Sequence, residues 1–124
     1  MKVLKVKILE AELEAPLLNP KTAASYDDGM RACIERIQSA QERTENSVEA
    51  LEEQCNAVID YIDEVFGVGA SRKVLGEETD LLTCLDAFED MATLYDKQVT
   101  PLVSAKTAEL NKMLLTDGGG DDPA

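Results

Sequence analysis

Apolar and polar residues alternate at the start of the chain. Leu4, Val6 and Ile8 are interleaved with Lys5 and Lys7, and Ala11, Leu13 and Ala15 with Glu12 and Glu14. A period of two marks an extended backbone with one covered face, so residues 1–15 are predicted to be extended. The phase slips by one residue at Ile8–Leu9, which suggests a bulge or bend in a strand. Residues 8–11 contain no Gly, Asn or Asp, so a tight two-residue hairpin is not signalled. So short a segment cannot form a stable sheet alone and must lie on helices or pair with another chain.

The period then changes. Asn19-Pro20 is a helix start, because Asn caps well and Pro suits the first helical position. From Met30 a heptad register runs through Ile34, Ile37, Gln41, Thr44, Val48, Leu51, Cys55, Val58, Ile62 and Val65. Its two polar members adjoin Asn46, which forms a capping-box pattern with Glu49. The pattern therefore predicts two antiparallel helices, 20–45 and 47–66, in preference to one kinked helix. Ile59 and Tyr61 widen the second stripe beyond a coiled-coil seam, which argues for a globular bundle.

Phe66-Gly67-Val68-Gly69 ends the second helix, since Gly accepts the left-handed conformation of a helix terminus. Ser71 is placed to cap a short turn, Arg72 to Leu75, stopped by Gly76. Thr79 or Asp80 caps a helical region over 79–115, with a stripe of Leu81, Leu85, Phe88, Ala92, Tyr95 and Val99. Thr100-Pro101 either kinks this helix or starts a fourth through Leu102, Val103, Leu110 and Met113. Residues 116–124, acidic and Gly-rich, are expected to be disordered. The predicted fold is mainly α: one domain over 1–115, a small bundle of three to four helices with a short N-terminal extended or β segment.

Composition narrows the function. The 124 residues include 44% apolar ones, enough for a core, and carry a net charge of −13. Three lysines and no acid lie in residues 1–9, leaving −16 on the rest; seven acids and no base lie between Arg43 and Arg72. Such a balance excludes the cationic footprint of a nucleic-acid binder and disfavours an anionic membrane surface. It reads as a solvated helix face or a surface for a basic partner. There is no His and no Trp. Cys33, Cys55 and Cys84 stand 22 and 29 residues apart, which fits small apolar residues in a reducing compartment better than a disulfide framework or zinc site. The N-terminus has no continuous apolar run, so neither a leader nor a span is signalled and a cytosolic location is expected. Gly67, Gly69 and Gly76 lack the Lys-Ser/Thr partner of a phosphate loop, and the pairs Asp60/Glu64 and Asp86/Asp90 sit on helix faces expected to be exposed, with no His and no concave apolar setting for acid–base work. No catalytic, cofactor-binding or metal-ligating residue is therefore expected. An acidic interaction protein is.

One block carries a family resemblance. Val58-Ile59-Asp60-Tyr61-Ile62-Asp63-Glu64-Val65-Phe66-Gly67-Val68-Gly69, then Ser71-Arg72-Lys73-Val74-Leu75-Gly76, then Asp80-Leu81-Leu82-Thr83-Cys84-Leu85-Asp86-Ala87-Phe88, resembles the tail assembly chaperones of long-tailed, siphovirus-type phages and prophages of Gram-positive bacteria. The stretch from Leu13 to Tyr26-Asp27-Asp28 is similar to their N-terminal region, so the resemblance spans about residues 8–95. Position 61 is Tyr where such sequences often show Phe, and Leu75 stands where an aromatic residue before Gly is common. The resemblance implies a non-enzymatic chaperone that binds the long, helical, apolar tape-measure protein in the host cytoplasm and is absent from the finished virion. It also implies a longer product made by ribosomal frameshifting that recruits the tail-tube protein; Gly118-Gly119-Gly120 fits a G-rich slippery run.

Tyr61, Phe66, Gly67 and Gly69 are the candidate partner-binding residues; the competing reading makes Phe66 a core residue and the glycines backbone necessities. The alternative functions are a structural head–tail or tail completion protein, a secreted helical hairpin of the W-x-G kind, with Phe66-Gly67-Val68-Gly69 in place of its turn, and an acidic helical adaptor. A homo-oligomer stays open.

Overall fold

A computed structural model describes residues 1–43 and 47–117. Asn46, the expected cap, and the tail beyond residue 117 lie outside the described residues. Two strands, β1 (Leu4–Ile8) and β2 (Ala11–Ala15), precede α1 (Pro20–Glu42), α2 (Ser47–Phe66), α3 (Ala70–Leu75) and α4 (Leu81–Ala92). A π turn (Tyr95–Val99) and α5 (Thr100–Asp117) follow. The protein is mainly α, as its periodicity predicts. The chain divides into two compact units, residues 1–93 and a second that begins at Leu94.

In the first unit the extended segment is a hairpin. β1 and β2 pair antiparallel, Ile8 opposite Ala11, so Leu9-Glu10 is the tight two-residue turn that composition does not signal. Two residues of turn return the chain with its phase slipped by one, which is the slip seen in the sequence. Leu9 adopts φ +53°, costly for a side chain of this kind. Its N–H donates to Asp90 Oδ2 on α4 at 2.7 Å, a charged acceptor that holds the turn down. Val6, Ile8, Leu13 and Ala15 form the buried face, so the strands lie on the helices of their own chain.

α1 starts at Asn19-Pro20, Asn19 Oδ1 accepting from the Lys21 N–H. α1 and α2 form the antiparallel pair that the break near residue 44 predicts. Arg36 joins them: Nε and Nη2 grip the Glu53 carboxylate at 2.9 and 3.2 Å, and Nη1 reaches Asp60 at 2.8 Å. Buried Gln54 accepts from Gln41 at 3.1 Å and donates to the Ala50 carbonyl oxygen at 3.2 Å, so its amide is satisfied.

Ile37, Val58, Ile62 and Val65 of the heptad stripe are buried, but on α1 and α4 much of the covered face lies beside the predicted stripes, with smaller residues at its centre. α1 buries Tyr26, Gly29, Cys33, Ile37 and Ala40, while Met30 is only half-buried and Ile34 and Gln41 are exposed. α4 buries Cys84, Ala87 and Met91, leaving Leu81, Leu85 and Phe88 half-buried and Ala92 exposed. Close helix contact requires small residues on the axis of approach and places larger ones at its flanks. Gly29 shows how close: a Cβ there would lie 2.7 Å from the Tyr61 ring.

The helix predicted over 79–115 is interrupted. Asp80 caps α4 through the Thr83 N–H at 2.9 Å, and α4 ends at Ala92. In the second unit the Thr100 N–H donates to the Tyr95 carbonyl in a π turn just before Pro101. Pro lacks an N–H and its ring collides with the carbonyl four residues back, so a wider turn accommodates it. Leu102, Val103, Leu110 and Met113, the apolar residues through which a fourth helix could run, lie on α5 and are all exposed.

Candidate functional site

The sequence-predicted binding residues fall into two groups. Tyr61 is 3% exposed. Its hydroxyl donates to the Tyr26 carbonyl oxygen at 2.8 Å, and its ring stands 6.0 Å from those of Tyr26 and Phe88. Tyr26 in turn donates its hydroxyl to the Met91 carbonyl oxygen. Tyr61 thus serves the interior, joining α1, α2 and α4, and offers no surface to a partner.

Phe66, Gly67 and Gly69 lie together at the end of α2. Gly67 (φ +105°) and Gly69 (φ +92°) occupy the left-handed region, as the helix-terminus argument requires. The Gly67 N–H donates to the Asp63 carbonyl at 2.8 Å. The Asp63 carboxylate accepts from the Ser71 N–H at 2.8 Å, so Asp63 caps α3 and the Ser71 side chain does not, a correction to the expected cap. Phe66 is half-buried beside Leu13 and Ala70. This turn leads from α2 into a six-residue helix and not between the two long helices, so a secreted-hairpin reading lacks its turn.

A different feature offers a binding surface. The apolar stripe of α2 outruns its cover. α2 has 20 residues and α4 has 12, about 30 Å against about 18 Å at 1.5 Å per residue. α4 runs alongside the C-terminal part of α2, Cys84 near Cys55 and Phe88 near Tyr61, so Val58, Ile62 and Val65 are buried. Beyond the first turn of α4 the stripe continues uncovered. A groove of about 660 Å³ opens there, floored by Val48, Leu51, Cys55 and Ile59 and walled by Leu81 and Leu82. Val48 is 68% exposed, Leu51 47% and Leu82 74%. The charged residues lining it are Glu52 and Asp80, and no base lines it. Asp80 is held below its ordinary carboxylate range by hydrogen bonds from the Thr83 N–H and hydroxyl, so it stays anionic in mild acid.

The acidic run is partly consumed inside the fold where it follows α2: Glu53 and Asp60 hold Arg36, and Asp63 caps α3. Arg36 holds the Glu53 carboxyl below its ordinary range. Burial pushes the Cys33 thiol up to about 12, so it stays a neutral thiol. Among the described residues no group of three or more Cys, Asp or Glu side chains is placed to hold a metal ion, and no helix is long and apolar enough to cross a membrane. Sequence reasoning missed the groove because a stripe records which positions are apolar and not how far a neighbouring helix covers them. It missed Asp90 and Arg36 because their partners lie 81 and 17 residues away.

Fold and site together define a small, mainly helical module that carries an apolar groove whose charged lining is acidic. The chain belongs to the family of unknown function DUF6673, whose model matches residues 9–114. No curated protein and no solved structure matches it significantly.

Proposed function

We propose that this protein is a non-enzymatic phage tail assembly chaperone that covers apolar helical segments of the tape-measure protein during tail assembly. The observation that carries the reading is the α2 stripe left open beyond α4, a preformed seat with the chemistry of a bundle seam. An amphipathic helix that lays its apolar side into such a groove completes the seam. Glu52 and Asp80, unopposed by a base in the lining, favour a helix with Lys or Arg flanking its apolar residues. The net charge of −13 keeps a coated complex apart from its neighbours by self-repulsion. The sequence resemblance of residues 58–88 supplies the identity of the partner.

In this reading the protein acts in the host cytoplasm and is absent from the finished particle, and a longer frameshifted form recruits the tail-tube protein. Co-expression with the tape-measure protein tests it. The partner is expected to stay soluble and to co-purify with the chaperone, and mass spectrometry of purified particles is expected to find the tape measure without the chaperone. Failure to associate, or presence of this chain in finished particles, overturns the reading; the latter outcome assigns it to the structural tail proteins.

A further inference from the structure

Every residue of α5 from Thr100 to Leu115 is exposed. A helix of this length draws little stability from its own hydrogen bonds and is ordinarily held by the packing of an apolar face. α5 has such a face. At about 100° per residue, Leu102, Val103, Leu110, Met113 and Leu114 fall within about 120° of arc. Each is 42–66% exposed. Lys106 lies inside the same arc and pairs with Glu109 at 3.3 Å, both side chains well exposed. Charge is segregated along the chain as well. Residues 1–93 hold nine bases and twenty acids, a balance of −11, whereas residues 94–115 hold three lysines and two acids. Copies that repel each other through their first 93 residues therefore meet no repulsion along α5.

We infer that α5 pairs with α5 of a second copy of this chain, antiparallel, about a two-fold axis at residue 108. The sequence is self-complementary in that register. Leu102 and Val103 of one copy lie level with Leu114 and Met113 of the other, and Lys106 lies level with Leu110. The Lys106 stem covers Leu110 of the second copy while its ammonium group turns to Glu109 there, and the symmetry repeats both contacts in the opposite sense. A parallel pair would instead set Lys106 against Lys106 and bring the acids at 117, 121 and 122 beside their copies. A helix face about 27 Å long and about 10 Å wide is small beside the ~800 Å² per partner of a standard interface, so the dimer is reversible. The pairing uses no residue of the groove and is independent of the proposed function.

Sedimentation of the full chain over a dilution series from about 1 μM to about 1 mM tests the pairing. The mass is expected to rise with concentration from 13.5 kDa toward twice that value. Leu110→Glu with Met113→Glu is expected to keep the chain monomeric throughout. Lys106→Leu, which completes the stripe opposite Leu110, is expected to tighten the dissociation constant by about tenfold or more. Register is read by mixing Val103→Cys protein with Met113→Cys protein under mild oxidation. The expected disulfide joins tryptic peptides 98–106 and 113–124 of different copies, with no link between two 98–106 peptides. A monomer at every concentration, a dimer that survives the two glutamates or that Lys106→Leu leaves unchanged, or a link between two 98–106 peptides overturns the proposal.

Discussion

Gly67 and Gly29 are both required as glycine, for opposite reasons. Gly67 sits at φ +105° with nothing within 4 Å of a would-be Cβ, so a side chain there meets backbone strain and no clash. Gly67→Val is expected to cost about 1–3 kcal/mol, lowering the melting temperature by several degrees, while Gly67→Asn costs less because Asn tolerates the left-handed region. An unchanged melting temperature in the Val variant would show the helix terminus to be misassigned. Gly29 is in an ordinary helical conformation but faces the Tyr61 ring. Gly29→Ala is expected to cost about 1–3 kcal/mol by overpacking, with a changed near-ultraviolet spectrum as the ring moves. Gly67 was legible from its place after an apolar run. Gly29, in mid-helix, announces itself only once α2 is packed against α1.

At the scale of elements, two polar contacts join pieces that local sequence could not connect. Asp90→Ala leaves the Leu9 N–H without its carboxylate and is expected to destabilise the hairpin against α4 by about 1–3 kcal/mol, read by urea unfolding. Arg36 spans α1 and α2 in a half-exposed pair, and Arg36→Met is expected to cost about 1 kcal/mol, less at high salt. Glu53 has a folded-state pKa below its ordinary 4.5, so the unfolded chain takes up the proton first. The pair's contribution is therefore complete above about pH 4.5 and is lost as pH falls through the lower folded value. A pH series of unfolding curves should show this acid-side loss blunted in Arg36→Met. The caps at Asn19 and Asp80 and the helix boundary near residue 44 were readable because each depends on neighbours in sequence. The hairpin turn was not: its strained Leu9 is held by Asp90, 81 residues away. The covered faces of α1 and α4 lie partly beside their predicted stripes for a related reason, since large apolar residues there mark the flank of a close helix contact and Gly, Ala and Cys its centre.

The whole molecule presents an apolar seat on a strongly anionic body. The stripe that makes the seat was visible in sequence as Val48, Leu51 and Cys55; that it remains open was not, because this depends on where α4 begins. Under the proposed function this open stripe binds and shields a helical partner. Leu51→Glu with Leu82→Glu places charge in the groove at two exposed positions, where substitutions change stability by about 0.5 kcal/mol or less each. The direct measurement is the soluble fraction of the tape-measure protein co-expressed with wild type or with this double variant, both forms being equally folded by circular dichroism. Wild type is expected to keep the partner in solution and the double variant to let it precipitate. Equal protection by both, or protection by neither, would contradict the proposed function.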